Sequence, residues 1–333
     1  MPSMRRLSTV FHLRRKVGTK GILITHPVHV RYLTGLPLDD ARLLILPRRI
    51  ILYVSVLDRQ PAEGIAQGIA LRDTSRLATD MALLRSCAFE SEYVTVSRLF
   101  LWKRRCMHTK FVRFSGLLEE CRRSKDPDEL RCIRRAERIT RELLRRIPAA
   151  LRTSISEEEL ARRLKIWALE LGADGMAFPP IVGFGPSTGT PHHRPGSRRL
   201  KKGDIVQIDV GAKFGGYCSD ASDVFFTSRP TSDQQRIYGA VSEAQQAALK
   251  AVRPGVTNRA LDLKARSILK REGIEDAFCH SLGHGVGLDI HEGVSLSHKA
   301  KEMKLLKNEV ITIEPGVYFP GKWGMRVEKI VIV

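Results

Sequence analysis

Residues 203–223, GDIVQIDVGAKFGGYCSDASD, limit what this chain can fold into more than any other stretch. Ile205, Val206, Ile208 and Val210 are β-branched, with the polar Gln207 and Asp209 between them, so 205–210 reads as a strand. Lys213, Phe214, Gly215 and Gly216 make a turn, and residues 217–220 begin the return. Folding the two arms together sets Asp209 across from Asp220 with both carboxylates on one face. Two like charges that close in an apolar hairpin are unfavourable unless a cation lies between them. By itself the hairpin leaves two readings open: a cation site, or one Asp in the turn and the other facing solvent.

The 333 residues are enough for two domains of ordinary size. Over residues 21–56 the short apolar runs GILIT, ARLLIL and RIILYVSV, broken by Pro27, Gly35, Pro37 and Pro47, read as strands and turns. Helices and strands then alternate to about residue 123. The pattern predicts a helix near 61–70, a strand over 93–97 followed by a helix, a strand over 110–114 and a helix over 117–123. This is a small α/β domain, residues 1–124, with no GxGxxG after a strand and no phosphate loop. Its isolated histidines, His12, His26, His29 and His108, read as structural or surface residues. Asp126, Pro127 and Glu129 then form a helix start, and Leu130, Ile133, Ile139, Leu143, Leu144 and Ile147 keep helical spacing. A long amphipathic helix therefore opens a second domain, residues 125–333. Ser156 with Glu159 starts another helix ending at Gly172, and two more are expected over 232–252 and 258–272.

Three further segments carry chemistry. Residues 178–195, FPPIVGFGPSTGTPHHRP, hold too much Pro and Gly for a helix or central strand, which puts His192 and His193 on a loop. Residues 280–293, HSLGHGVGLDIHEG, set three histidines in a glycine-rich stretch. Glycine lets backbone approach a ligand closely, and clustered histidines are common donors to transition metals. Residues 309–333 form a second hairpin, with Glu314 on its first strand and Arg326 and Glu328 on one side of its second. Glu314 and Glu328 thus repeat the arrangement of Asp209 and Asp220. Four carboxylates and one imidazole suit a pair of ions such as Mn²⁺, Co²⁺, Fe²⁺ or Zn²⁺. Two metals roughly 3.5–4 Å apart can acidify a water and polarise a carbonyl.

Together IDVGAKFGGYCSD, HSLGHGVGLDIHE, ITIEPGVY and MRVEKIVIV resemble the pita-bread metallopeptidases, specifically the Xaa-Pro branch of prolidase and aminopeptidase P. VHVRYLTG, KDPDELRCIRRAERIT and FPPIVGFGPSTGTPHH resemble the same branch, so the resemblance spans nearly the whole chain. It implies an α+β protein with a C-terminal pita-bread (creatinase/aminopeptidase-like) domain, a smaller N-terminal α/β domain and a homodimeric assembly. It also implies two divalent ions per chain, Mn²⁺ or Co²⁺ ahead of Zn²⁺ or Fe²⁺. Asp209 would chelate one ion, Asp220 and Glu328 would bridge both, and His284 and Glu314 would bind the second. Glu314 would also shuttle a proton. His192 and His291 match the family's two catalytic histidines; His280 and Arg326 match a pocket histidine and a site arginine that would serve substrate binding. His193 and His298 lie outside the pattern and are expected to face solvent.

The implied reaction is hydrolysis of the bond before proline at the N-terminus of di- or oligopeptides, with a metal-bridging hydroxide as nucleophile. Methionine aminopeptidases lack such an N-terminal domain, and creatinase uses the fold without the metal set. The chain departs from the family at Asp220-Ala221-Ser222-Asp223-Val224, where relatives read Asp-x-Thr-Arg-Thr. Ser222 keeps a hydroxyl for a ligand carboxylate, whereas Asp223 reverses a charge and faces the other way by strand alternation.

The net charge of +20 raises a rival reading, a catalytically weak relative binding an acidic partner or nucleic acid. Residues 1–125 alone hold 23 Lys/Arg against 10 Asp/Glu, a net +13. The arginines beyond them are spread along helices, aromatic content is 6%, and no nucleic-acid motif accompanies them, so the enzyme reading is preferred. No apolar run reaches membrane-spanning length. Six cysteines without a CxxC pair fit free thiols in a reducing compartment. The first residues, MPSMRRLSTVFHLRRK, resemble a mitochondrial presequence only faintly. Leu7, Val10, Phe11 and Leu13 fit the inner face of a first helix, and a cytoplasmic location is expected.

Overall fold

The structure, a computed structural model, describes residues 6, 15–63, 68–152 and 154–333. The proposed inner face Leu7, Val10, Phe11 and Leu13 lies outside them. The chain divides into two units, Met1–Cys121 and Arg122–Val333.

The first unit is built on a six-stranded sheet of β1 (Gly21–Ile24), β2 (Arg42–Ile45), β3 (Ile50–Val54), β4 (Ala70–Asp73), β5 (Ser86–Glu90) and β6 (Lys110–Phe114), in the order β4-β3-β2-β1-β5-β6. Only β2 runs antiparallel to its neighbours. β1 and β3 are buried along their whole length, as expected where side chains pack on both faces of a sheet. Strand β6 and the helix Leu117–Arg123 fall where the sequence pattern places them. Three expectations change. The helix near 61–70 is Arg59–Glu63 within the described residues. Residues 93–97 are not a strand; Thr95 instead caps the helix Val96–Arg105 by accepting from the Arg98 N–H. Pro27 does not merely end a strand but opens a helix, Pro27–Thr34. Its start is held by Glu90, whose Oε2 accepts from the backbone N–H of Thr25 (2.5 Å) and His26 (2.9 Å). The same carboxylate meets buried His29 Nδ1 at 2.5 Å, which makes His29 a structural residue.

The second unit has two halves, each a pair of helices on strands. In the first, Pro127–Ala150 and Glu157–Glu170, both started by complete capping boxes, pack on β7 (Gly175–Met176), β8 (Ile181–Phe184), β9 (Ile205–Val210) and β10 (Ala212–Phe214) through Leu143, Ile147, Leu160, Leu164, Val206 and Ile208. β11 (Tyr217–Cys218) and β12 (Ala221–Phe226) return along β10 and β9. The turn between β10 and β11 is Gly215–Gly216, with φ of 59° and 81°, a two-residue hairpin turn that needs left-handed backbone at both positions. The Pro-rich segment 178–195 is not all loop: β8 pairs with β9 as the edge of the sheet β12-β9-β8. Edge placement is where a strand flanked by proline fits.

In the second half, Ser232–Ala251 and Asn258–Arg271 pack on β13 (Gly283–Gly285), β14 (Glu292–Leu296), β15 (Val310–Ile313), β16 (Gly316–Phe319) and β17 (Trp323–Arg326), with β18 (Lys329–Ile332) closing the sheet β14-β13-β15-β18. Among the described residues no helix is long and apolar enough to cross a membrane, and all six cysteines are free thiols.

β13 lies so close to β15 that a Cβ at Gly283 would overlap the Thr312 carbonyl and its hydroxyl. Gly283→Ala should therefore destabilise the protein by about 2–3 kcal/mol, the usual cost of overpacking. Denaturant unfolding of the variant beside wild type checks this, and equal midpoints would contradict it.

Candidate metal centre

The register of the first hairpin corrects one expectation. Ser222, not Asp220, stands opposite Asp209; Asp220 is two residues further along the same face, on the diagonal. Diagonal neighbours still reach one another, so the two carboxylates share a face without sitting head-on. In the second hairpin Ile313 pairs with Lys329 and Gly316 with Arg326, and the same register carried across the gap between the two ladders sets Glu314 opposite Glu328. The hairpins lock edge to edge. The Glu328 N–H donates to Ser222 O (3.0 Å), the Arg326 N–H donates to Gln207 Oε1 (2.7 Å), and Gln207 Nε2 donates back to Arg326 O (3.1 Å).

This locking brings the carboxylates together. One ligand atom each from Asp220, His284 and Glu328 lies within 4.8 Å of the others. His284 Nε2 stands 3.6 Å from Asp220 Oδ2 and 3.5 Å from Glu314 Oε1. Asp209 is held by Arg326, whose Nη2 donates to its Oδ2 at 2.5 Å. Asp209 Oδ1, Asp220 Oδ1 and Glu328 Oε1 are buried and have no hydrogen-bond partner among the described residues.

Electrostatics point the same way. Burial, then the neighbouring carboxylates, raises the Asp220 and Glu328 carboxyls well above the usual range, and burial pushes Glu314 up to about 8. Burial, with His291 adding, pushes His284 down to about 4, so its ring is neutral. Its Nδ1 faces Gly285 O at 3.1 Å and donates there, which leaves the Nε2 lone pair aimed at the acids. Crowded, buried carboxylate oxygens facing a neutral imidazole are a donor set made for divalent cations, and these residues fit them.

A cavity of about 750 Å³ opens on this cluster. It brings together all nine candidate site residues: Asp209, Asp220, His284, Glu314 and Glu328 with His192, His280, His291 and Arg326. The His291 ring meets the His284 ring edge-on at 4.2 Å, and burial lowers its proton affinity. His280 Nδ1 donates to Ser281 O (2.8 Å), and burial pushes its ring down to about 4.

Four supporting contacts lie around these groups. Ser222 Oγ donates to Glu328 Oε2 (2.8 Å) and accepts from Arg326 Nε (3.0 Å), the role its hydroxyl suggests in the sequence. Tyr318, Gln207 and Thr312 escape sequence reading. The Tyr318 hydroxyl accepts from Arg326 Nη1 (2.5 Å) and reaches His280 Nε2 (3.1 Å). Thr312 Oγ1 accepts from the His284 N–H (3.0 Å) and donates to Glu314 Oε1 (3.3 Å). Period-two spacing from Glu314 was the one available signal for Thr312. His193 and His298 do not face solvent freely: His193 Nε2 meets Glu157 at 2.8 Å and His298 Nδ1 meets Asp262 at 2.5 Å.

Residues 131–333 match metallopeptidase family M24, and residues 6–124 match the creatinase/prolidase N-terminal domain. The chain belongs to metallopeptidase family M24. It is 38% identical to the protein YkvY of Bacillus subtilis over 241 residues, covering 72% of this chain and 66% of that protein. It is 30% identical to the Xaa-Pro dipeptidase of Pyrococcus furiosus over 94% of this chain and 90% of that protein. The solved Xaa-Pro dipeptidase of Bacillus anthracis superposes with a TM-score of 0.95 at 28% identity, covering 99% of this chain and 94% of the other. The fold is the α+β pita-bread fold behind a creatinase/prolidase-type N-terminal domain, and the M24 protein is a metal-dependent hydrolase that uses divalent metal.

Asp220, Glu314 and Glu328 hold protons more tightly than ordinary carboxyls, and these protons must leave before a cation is bound. Metal affinity should therefore weaken as pH falls through about 8, the value for Glu314, with net proton release on binding. Calorimetry with Mn²⁺ in two buffers of different ionisation enthalpy measures the released protons; affinity that is flat with pH would contradict this reading.

Proposed function

We propose that this M24 protein hydrolyses the peptide bond before proline in short peptides, with two divalent cations held by Asp209, Asp220, His284, Glu314 and Glu328. The observation that carries the proposal is the convergence of these five residues with His192, His280 and His291 on one cavity. The oxygen-rich donor set favours Mn²⁺ or Co²⁺, with Zn²⁺ or Fe²⁺ as alternatives. When bound, such ions supply Lewis-acid charge that acidifies water and polarises a carbonyl.

The chain's own residues do the rest. Glu314, whose Oε1 stands 3.5 Å from His284 Nε2 in the donor cluster, would take a proton from an attacking water and pass it to the leaving prolyl nitrogen. His291, kept neutral by burial, and His192 on the opposite loop offer ring N–H groups to the oxygen that gains charge in the tetrahedral intermediate. Arg326 spends its donors on Asp209, Ser222, Tyr318 and the Pro191 carbonyl, so it offsets carboxylate charge from behind and aligns His280 through Tyr318. The cavity lining also holds Phe178, Pro179, Pro180, Ile181, Pro191 and Pro195, apolar groups that suit a prolyl ring.

Metal-stripped protein reloaded with Mn²⁺, Co²⁺ or Zn²⁺ should cleave Ala-Pro or Ala-Pro-Ala. Asp220→Ala should lower turnover by more than about a hundredfold, beyond what changes behind the ligands cost, while Ser222→Ala should fall within about ten- to a hundredfold. An Asp220→Ala protein with full metal-dependent activity would refute the site. Light scattering of the loaded protein checks the homodimer that the family resemblance implies.

A further inference from the structure

His280 lines the cavity from an irregular segment between the turn Glu275–Ala277 and strand β13. Residues 279–281 make no backbone–backbone hydrogen bond among the described residues, so no ladder sets where the His280 ring stands. One side chain holds the segment instead. Arg266, on the helix Asn258–Arg271, donates from Nη2 to His280 O (2.7 Å) and from Nη1 to Phe278 O (3.1 Å). Its guanidinium lies over the Phe278 ring at 4.3 Å, and that ring meets the His280 ring edge-on at 4.9 Å. The remaining nitrogen, Nε, donates to Asp262 Oδ2 at 3.0 Å, one helical turn earlier. Asp262 is fully buried, and the same oxygen accepts from the His298 N–H (2.8 Å) and meets His298 Nδ1 (2.5 Å). The guanidinium is thus fixed from behind by Asp262 and His298 and holds the His280 segment in front.

We propose that Arg266 is a positioning residue that, by holding the Phe278 and His280 carbonyls, sets the His280 ring in the cavity for the substrate. The proposal rests on the Xaa-Pro reading above and adds a determinant that does not itself line the cavity. A planar fork with donors at fixed angles binds two carbonyls and a carboxylate at once, whereas an ammonium on a flexible stem fixes no such direction. From His280 the contacts run on: its Nε2 reaches the Tyr318 hydroxyl (3.1 Å), which accepts from Arg326, which in turn donates to Asp209. Losing Arg266 leaves both carbonyls without this donor and frees the segment to shift. A shift of about 1 Å at a reacting site can lower the rate on the order of a hundredfold. Asp262 and His298 then have a role at one remove: they set where the guanidinium points.

A double-mutant cycle on the metal-loaded full chain tests this with Ala-Pro and Ala-Pro-Ala. Arg266→Met, which keeps an apolar stem, should lower kcat/KM about ten- to a hundredfold, and Arg266→Lys should lose less. In a His280→Ala background the same Arg266→Met change should lower kcat/KM by less than about twofold, because the ring it positions is gone. A merely structural role would weaken both backgrounds alike, so equal fold-losses in the two, or no loss in either, would overturn the proposal. If Arg266→Met does not fold, the cycle is run with Arg266→Lys, and the same outcomes decide. If wild type cleaves neither peptide, the Xaa-Pro reading itself fails. The His280 ring is then followed directly by NMR of Zn²⁺-loaded protein. Its Cε1–H signal, assigned by its loss in His280→Ala, should move in Arg266→Lys and stay in Arg271→Met, a change at an exposed arginine of the same helix. A signal that stays in both, or moves equally in both, would overturn the positioning role.

Discussion

Four carboxylates, three buried and Glu314 half-buried, gathered around one buried guanidinium set the terms for the rest of the second unit. Asp209, Asp220, Glu314 and Glu328 carry like charge whenever they ionise, and Arg326 is the one lysine or arginine among them. Moving such groups out of water costs several kcal/mol per ion unless each is paired or bound to a cation. Two hairpins under that repulsion would part if only their own ladders held them. They are bound to each other instead, through the double exchange between Gln207 and the Arg326 backbone and the bond from Glu328 to Ser222. Arg326 then ties the acids to the histidine side of the cavity by way of Tyr318. One residue thus balances charge, spaces the hairpins and orients His280, and these tasks depend on the same fixed guanidinium.

How much of this could be read from sequence follows from how local each determinant is. Strand β9, strand β6 and the long helix from Pro127 have the expected bounds because β-branching, alternation and capping act within a few residues. The five candidate donors, which line one cavity, stood out in the sequence because acids flanked by apolar strand residues and a histidine in a glycine-rich stretch are conspicuous. The diagonal placement of Asp220 was not, since the register depends on the two-residue turn Gly215–Gly216 and a shift of one residue changes which residue stands opposite Asp209. The misread histidines failed for a related reason. His193 is held by Glu157 and His298 by Asp262, each 36 residues away, a distance over which no periodicity speaks. Tyr318 and Gln207 fall in strands as ordinary residues, and only the docking of the two hairpins turns them into parts of the site.

The basic excess divides by depth. Along the helix from Pro127 to Ala150, Arg131 pairs with Asp128, Arg141 with Glu137, and Arg145 and Arg146 with Glu142, all within four residues and all exposed or half-exposed. Such pairs contribute little beyond local helix support. Residues 122–125 differ. Arg122 and Lys125 are buried on Glu292, with Arg122 also on Asp289 at 2.6 Å, and Arg123 is buried on Glu309 at 2.7 Å. Stranding a partner in a buried pair costs about 3–5 kcal/mol, so these cations and acids are obligatory to one another. Glu292 follows His291 directly, and Glu309 directly precedes the strand that leads to Glu314. The cations at the start of the second unit therefore fix the ends of two segments that carry site residues. The positive charge of residues 122–146 thus has a structural role where acids bury it, and gives little beyond local helix support where water reaches it.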